Sequence, residues 1–116
     1  MGLSFTDRQL DLMNILWDDG SATVREAKET LDEELAYTSV LTVFQTLEKN
    51  GHVRHEPEGK AYRYYPTVSR EEAGREAVSY LKRRIFQGSA TALTETLMEE
   101  TDESLLEEEE TAELGV

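Results

Sequence analysis

Cysteine is absent from the 116-residue chain. That removes disulfides, thiolate metal sites and cysteine nucleophiles together, and it leaves the redox compartment open. Histidine is scarce: His52 and His55 stand three apart on an expected strand, which sends them to opposite faces and away from a shared metal. There is no Gly-rich phosphate loop and no G-x-S-x-G, and the many carboxylates fall in helix-surface runs rather than as an isolated pair among apolar residues. These absences argue against an enzyme and give no reason to expect a cofactor. No apolar run approaches the roughly 18 residues of a membrane span. The opening MGLSFTDRQL lacks the basic-then-apolar order of a signal peptide. The expectation is a cytoplasmic protein with no membrane partner.

Lysine is also scarce, with Lys28, Lys49, Lys60 and Lys82 only, whereas Asp and Glu number 25 and the net charge is −13. A basic footprint is the usual electrostatic sign of nucleic-acid binding, so this balance opposes a DNA partner. Two readings stay open. Either the chain does not bind DNA, or the acidic surface is an adaptation to high salt and a local patch still binds. The charge is uneven. Residues 1–68 hold 7 basic and 12 acidic side chains, giving −5; residues 69–116 hold 5 and 13, giving −8. The N-terminal part is therefore the better candidate for meeting phosphate.

The chain is long enough for one compact domain, or a small domain with an appendage. Thr6 and Gln9 have capping-box spacing and open a first helix, whose stripe is Leu10, Met13 and Trp17, broadened by Leu12, Ile15 and Leu16. Asp18-Asp19-Gly20 ends it, and Trp17 reads as a core anchor. Ser21–Thr23 suits a short strand. Thr23 and Glu26 form a second capping box, opening a helix with Val24, Ala27, Leu31 and Leu35 on its buried face. A third helix is expected to be capped by Thr38 or Ser39 and stopped by Gly51 at the position after the cap, which favours glycine. Val40, Val43, Phe44 and Leu47 face its core. Its other face carries Ser39, Thr42, Gln45, Thr46 and Lys49. No charged residue occurs from Thr38 to Leu47, although 32% of the chain is charged. A solvated face in so acidic a chain would carry glutamate. Hydroxyls and one amide suit close approach to base edges and phosphates; a short half-buried helix with small polar residues is the plain alternative.

A hairpin is expected next, with strands His52–Glu56 and Ala61–Tyr65 joined by Pro57-Glu58-Gly59-Lys60. Arg54, Lys60 and Arg63 make it basic, and Tyr62, Tyr64 and Tyr65 are expected to pack one sheet face. Pro66 ends the hairpin. A third capping box, Ser69 with Glu72, opens a helix with Ala73, Ala77, Tyr80, Leu81 and Ile85 on one face. Gly88-Ser89 interrupts, Leu93 and Leu97 mark a fifth helix, and the stretch from Asp102 has helical propensity. The last 48 residues cannot build a core of their own, and a second copy is the simplest surface to cover them.

The segments FTDRQLDLMNILW (Phe5–Trp17), AYTSVLTVFQTLEKNG (Ala36–Gly51), GKAYRYYPTVSREE (Gly59–Glu72) and FQGS (Phe86–Ser89) resemble the penicillinase-repressor family, of BlaI/MecI type. The resemblance covers roughly residues 5–106 and is most specific in the third helix and hairpin. It implies a mainly α fold with a small β-hairpin wing: a winged helix-turn-helix domain over 1–68, then a helical dimerisation domain over 69–116. It further implies a homodimeric transcriptional repressor that binds inverted-repeat operators in double-stranded DNA. The third helix would enter the major groove and the wing would touch the backbone. Ser39, Thr42 and Gln45 would face bases, with Thr46 beside them. Thr23, Arg25, Thr38, Lys49, Arg54, Lys60 and Arg63 would meet phosphate. Tyr80, Leu81, Ile85, Phe86, Leu93 and Leu97 would form the dimer interface. Thr46 and Asn50 stand where the family often has arginine and lysine. The paired cysteines of its copper-responsive branch are missing, and the bond cut by a regulatory protease in its antibiotic-responsive branch would correspond to Thr96-Leu97. The contrasting expectation, from another class, is an acidic protein-interaction module or DNA mimic.

Overall fold

The structure, a computed structural model, describes residues 5–31 and 34–101. The elements run α1 (Asp7–Asp19), β1 (Ala22–Thr23), α2 (Val24–Leu31), α3 (Tyr37–Lys49), β2 (Val53–Glu58), β3 (Ala61–Pro66), α4 (Arg70–Arg84) and α5 (Ala90–Glu100). This is a mainly α fold with a three-stranded antiparallel sheet in the order β1-β3-β2. The chain divides into two compact units, Met1–Glu76 and Ala77–Val116. The division falls inside α4, whose first turns, including buried Ala73, belong to the first unit.

All three expected capping boxes are present. The Thr6 hydroxyl accepts from the Gln9 N–H and the Gln9 amide oxygen accepts from the Thr6 N–H, at 3.2 and 2.9 Å. Thr23 and Glu26 exchange the same pair at 3.2 and 3.1 Å, as do Ser69 and Glu72 at 3.0 and 3.1 Å. Each satisfies two backbone donors that a helix start leaves orphaned. The third helix departs from expectation. Its N-cap is Ala36, with ψ of 145° and no side-chain hydrogen bond, so Thr38 and Ser39 lie within the helix and cap nothing. The extended backbone ends at Ala36, and the run Tyr37–Lys49 continues helically from there. At the other end Gly51, at φ +83°, allows the chain to reverse. Its N–H reaches Glu48 O at 3.0 Å and the His52 N–H reaches Leu47 O at 2.9 Å, which satisfies the last carbonyls.

The first unit's core is Leu12, Met13, Ile15 and Leu16 of α1, Val24 and Ala27 of α2, Val40, Phe44 and Leu47 of α3, with Ala22, Val53 and Tyr64 from the sheet. Leu35 packs against it from the connection after α2, not from the helix itself. Trp17 is half-buried rather than a fully enclosed anchor; its indole N–H donates to Val68 O at 2.8 Å and its ring meets Phe5 edge-on. The hairpin is longer than expected. Pro57 and Glu58 extend β2, pairing with Tyr62 and Ala61, and the loop shrinks to Gly59-Lys60. Proline is tolerated there because β2 is an edge strand, and Gly59 at φ +63° supplies the turn. The tyrosines also divide: Tyr64 is buried and stacked on Phe44, whereas Tyr65 lies on the opposite face under Arg54. Strand alternation requires this split.

The second unit holds the rest of α4 and α5, the latter capped by Ser89, whose hydroxyl accepts from the Ala92 N–H at 3.0 Å. The expected helix beyond Asp102 lies outside the described residues. Phe44→Ala should destabilise the first unit by about 3–5 kcal/mol, because a fully buried, stacked ring leaves a cavity. Urea unfolding followed by circular dichroism measures this; a loss below about 1 kcal/mol would show that the core does not rest on it.

Candidate nucleic-acid interface

Helix α3 buries Val40, Phe44 and Leu47, so its opposite stripe is Thr38, Thr42, Gln45, Thr46 and Lys49, all exposed. Ser39 is exposed but sits at the flank, lining a small apolar cleft with Arg8, Leu12, Leu31, Leu35, Val40 and Val43. It therefore marks the edge of the stripe, two turns before Thr46 on the same side of the helix. The Thr42 hydroxyl donates to Thr38 O at 2.8 Å and the Thr46 hydroxyl to Thr42 O at 3.1 Å. With their protons engaged in the helix, these oxygens present acceptor lone pairs outward.

Four basic side chains (Lys49, Arg54, Lys60, Arg63) and three acidic ones (Glu48, Glu56, Glu58) lie between Ala36 and Val68, giving +1 in a chain of −13. Each of these carboxylates has a cationic or donor partner. His55 donates from Nδ1 to the Glu48 carboxylate, at 2.6 and 2.8 Å from its oxygens. Arg54 pairs with Glu56 at 3.3 Å and lies 4.4 Å from the Tyr65 ring centre. Arg63 holds Glu58 through Nε and Nη2 at 2.8 and 2.9 Å. It also holds Glu26 of α2 through Nη1 and Nη2 at 2.9 and 3.1 Å. Among the described residues, Arg25, Lys49 and Lys60 are exposed and make no ion pair.

Two expected phosphate residues are thus engaged inside the protein. Arg63 is the more buried member of its network and already holds two carboxylates. Thr23 is buried, with its hydroxyl accepting the Glu26 N–H as a helix cap. From sequence alone Glu26 is legible only as a capping residue, three positions after Thr23. Its link to Arg63 spans 37 positions and has no local signature. The same holds for Glu48 and His55, which tie α3 to β2 across one side of the hairpin, with the His55 ring 4.3 Å from that of exposed Tyr62.

In the second unit Tyr80, Leu81, Ile85 and Leu97 are exposed, and Phe86 and Leu93 are half-buried. The Thr96-Leu97 bond lies within helix α5, so a protease would need local unwinding to reach it. Among the described residues no three His, Asp or Glu side chains converge on a metal position, and no helix is long and apolar enough to cross a membrane.

Helix-turn-helix packing followed by a hairpin on the end of a small sheet defines a winged-helix protein. The solved structures agree at the level of fold. The DNA binding domain of the repressor BlaI, a solution structure, superposes with a TM-score of 0.54 at 22% identity, covering 62% of this chain and 93% of that one. A MarR family protein from Bacillus stearothermophilus gives 0.54 at 20% identity over 95% of this chain and 71% of its own. The YusO protein from Bacillus subtilis gives 0.57 at 20% identity over 97% and 76%. A search of curated proteins finds no significant match. The family model of the penicillinase repressor matches residues 5–115. The chain belongs to the penicillinase repressor family and is a transcriptional regulator.

The Arg63 pairing holds the Glu58 carboxyl below its ordinary value, and that of Glu26 too, where the Thr23 N–H adds to the effect. A depressed carboxylate stabilises the fold fully above its unfolded value of about 4.3, and that contribution disappears as pH falls through the folded value. The melting temperature of the parent should therefore exceed that of Arg63→Gln by a constant margin from pH 7 to about pH 5, and the margin should close below about pH 4. Melting curves across that range check this; a margin unchanged at the acid end would exclude the carboxylates as its source.

Proposed function

We propose that this regulator is a repressor that binds double-stranded DNA in the cytoplasm as a homodimer, through α3 and the wing, on an inverted-repeat site. The observation that carries the reading is the carboxylate-free outer stripe of α3 beside a hairpin on which every carboxylate is partnered. Thr42, Gln45 and Thr46 are assigned to base edges, with Ser39 at the margin. The threonine oxygens, as acceptors, match the amino groups of adenine or cytosine. Lys49 and Lys60 carry the main phosphate contacts, supported by Arg25, Thr38 and Arg54. The scarcity of lysine within a strongly acidic chain supports operation at high ionic strength.

Dimerisation is assigned to α4 and α5. Ile85 and Leu97 are each 62% exposed in the single chain, and with Tyr80, Leu81, Phe86 and Leu93 they supply apolar surface that a lone helical tail cannot bury. Two copies related by a two-fold axis present two recognition helices to inverted half-sites. Joining them raises the effective concentration of the second contact. Ile85→Asp should give a monomer by sedimentation and lose most binding to a duplex with two half-sites; an unchanged dimer would exclude this face.

The net charge of −13 favours one competing reading, an acidic interaction module that repels DNA. A gel shift against the DNA upstream of the chain's own gene, over a range of salt, separates the two. Within it, Thr42→Ala should lower discrimination between operator and random duplex by about 1–3 kcal/mol. Lys60→Ala should weaken both duplexes alike and flatten the salt dependence. Equal losses on both duplexes for Thr42→Ala would remove that residue from the reading surface, and no shift at any salt would favour the acidic module.

A further inference from the structure

Arg63 has five N–H donors, and the structure accounts for every one. Nε and one Nη2 hydrogen serve Glu58, the other Nη2 hydrogen and one of Nη1 serve Glu26, and the remaining Nη1 hydrogen reaches Ser21 Oγ at 3.2 Å. These partners come from three places in the chain: the residue before β1, the first turn of α2, and the tip end of β2. The register gives the position meaning. β1 pairs only with Tyr64 and Arg63 of β3, so from Tyr62 to the tip the hairpin is a two-stranded ribbon. Such a ribbon is marginal by itself. Arg63 sits at its root, where the free part of the wing begins. Glu26 in turn is fixed by its own capping bond, since its Oε1 also accepts the Thr23 N–H.

We infer that Arg63 is a positioning residue: through Glu26 and Glu58 it sets the angle of the wing relative to the helix-turn-helix, and it does not itself contact phosphate. This rests on the DNA-binding reading above. The charges favour it. One guanidinium with two carboxylates carries −1, so the cluster as a whole does not attract phosphate. Turning Arg63 to a phosphate would break bidentate pairs and leave a bare carboxylate beside the DNA backbone. Isolated surface ion pairs contribute little, but bidentate arginine networks are the exception. The same network pairs Glu58 near the wing tip with a guanidinium, whereas Lys60 is presented there without an ion pair.

The test uses the full chain and the variants Arg63→Lys, Arg63→Gln and Glu58→Gln, with two readouts. The first is amide hydrogen exchange over residues 56–62 without DNA. The second is binding to a duplex from upstream of the chain's own gene and to a scrambled duplex of equal length, across salt. Lysine keeps the charge but cannot grip two carboxylates bidentately. Positioning therefore requires faster exchange and weaker operator binding in Arg63→Lys, with the slope of log K against log salt unchanged. Glu58→Gln must also weaken operator binding, although it removes a negative charge. A direct phosphate contact gives the reverse: Arg63→Gln flattens the slope by about one per subunit and Glu58→Gln tightens binding. Either of those results overturns the inference. If the parent binds neither duplex at any salt, the DNA-binding reading fails by itself. The exchange data then decide alone, faster exchange supporting the lock and unchanged exchange removing it.

Discussion

The stack of Phe44 on Tyr64 is the contact on which the rest of the molecule's arrangement depends. The rings lie 4.4 Å apart and 4° from parallel, and both residues are buried. Phe44 comes from the middle of α3 and Tyr64 from the central strand of the sheet, so one contact fixes the recognition-type helix against the hairpin. Its partners then follow from geometry. With Phe44 inward, helical periodicity turns Thr42, Gln45 and Lys49 outward. With Tyr64 inward, alternation turns Arg63 to the other face of β3, toward α2, and Tyr65 with it. The side of the sheet that meets α3 also receives His55, whose bond to Glu48 closes a second link between helix and hairpin.

An acidic protein can meet DNA only if repulsion is removed where the surfaces approach. On the reading proposed above, with α3 and the wing as the contact surface, two effects would do this. Near α3 and the wing, Glu48, Glu56 and Glu58 are each held by a partner, so the carboxylates closest to the contact surface are not bare. The remaining negative charge acts over distance, and salt screens it: the Debye length is about 8 Å at physiological ionic strength and about 3 Å at 1 M. The net charge therefore says more about solubility and association rate than about what the contact face can hold.

Much of the fold could be read directly from the sequence because its strongest signals are local. A capping box needs only residues three apart, and Thr6, Thr23 and Ser69 each opened a helix as expected. Gly51 and the hydrophobic spacing of α3 were equally readable. The start of α3 was not, because Ala36 caps without a side chain and polar Thr38 and Ser39 nearby offered a false signal. The hairpin turn shifted because an edge strand tolerates Pro57, and strand order is a property of the whole sheet. Within the candidate site, the outer stripe of α3, with Ser39 at its edge, could be read from periodicity. Basic residues near the wing could be counted but not assigned. Nothing local distinguishes Arg63, which is locked to Glu26 and Glu58, from Lys60, which is not, since the deciding partner stands 37 residues away.

The central claim is that DNA meets α3 and the wing of this acidic chain. The most direct measurement is an amide chemical-shift titration of the full chain with duplex from upstream of its own gene. The account predicts perturbations concentrated at Thr38–Lys49 and at the wing from Arg54 to Lys60, with a smaller one at Arg25, and the remainder of the first unit unaffected. Perturbations centred elsewhere, or none at saturating duplex, would contradict it.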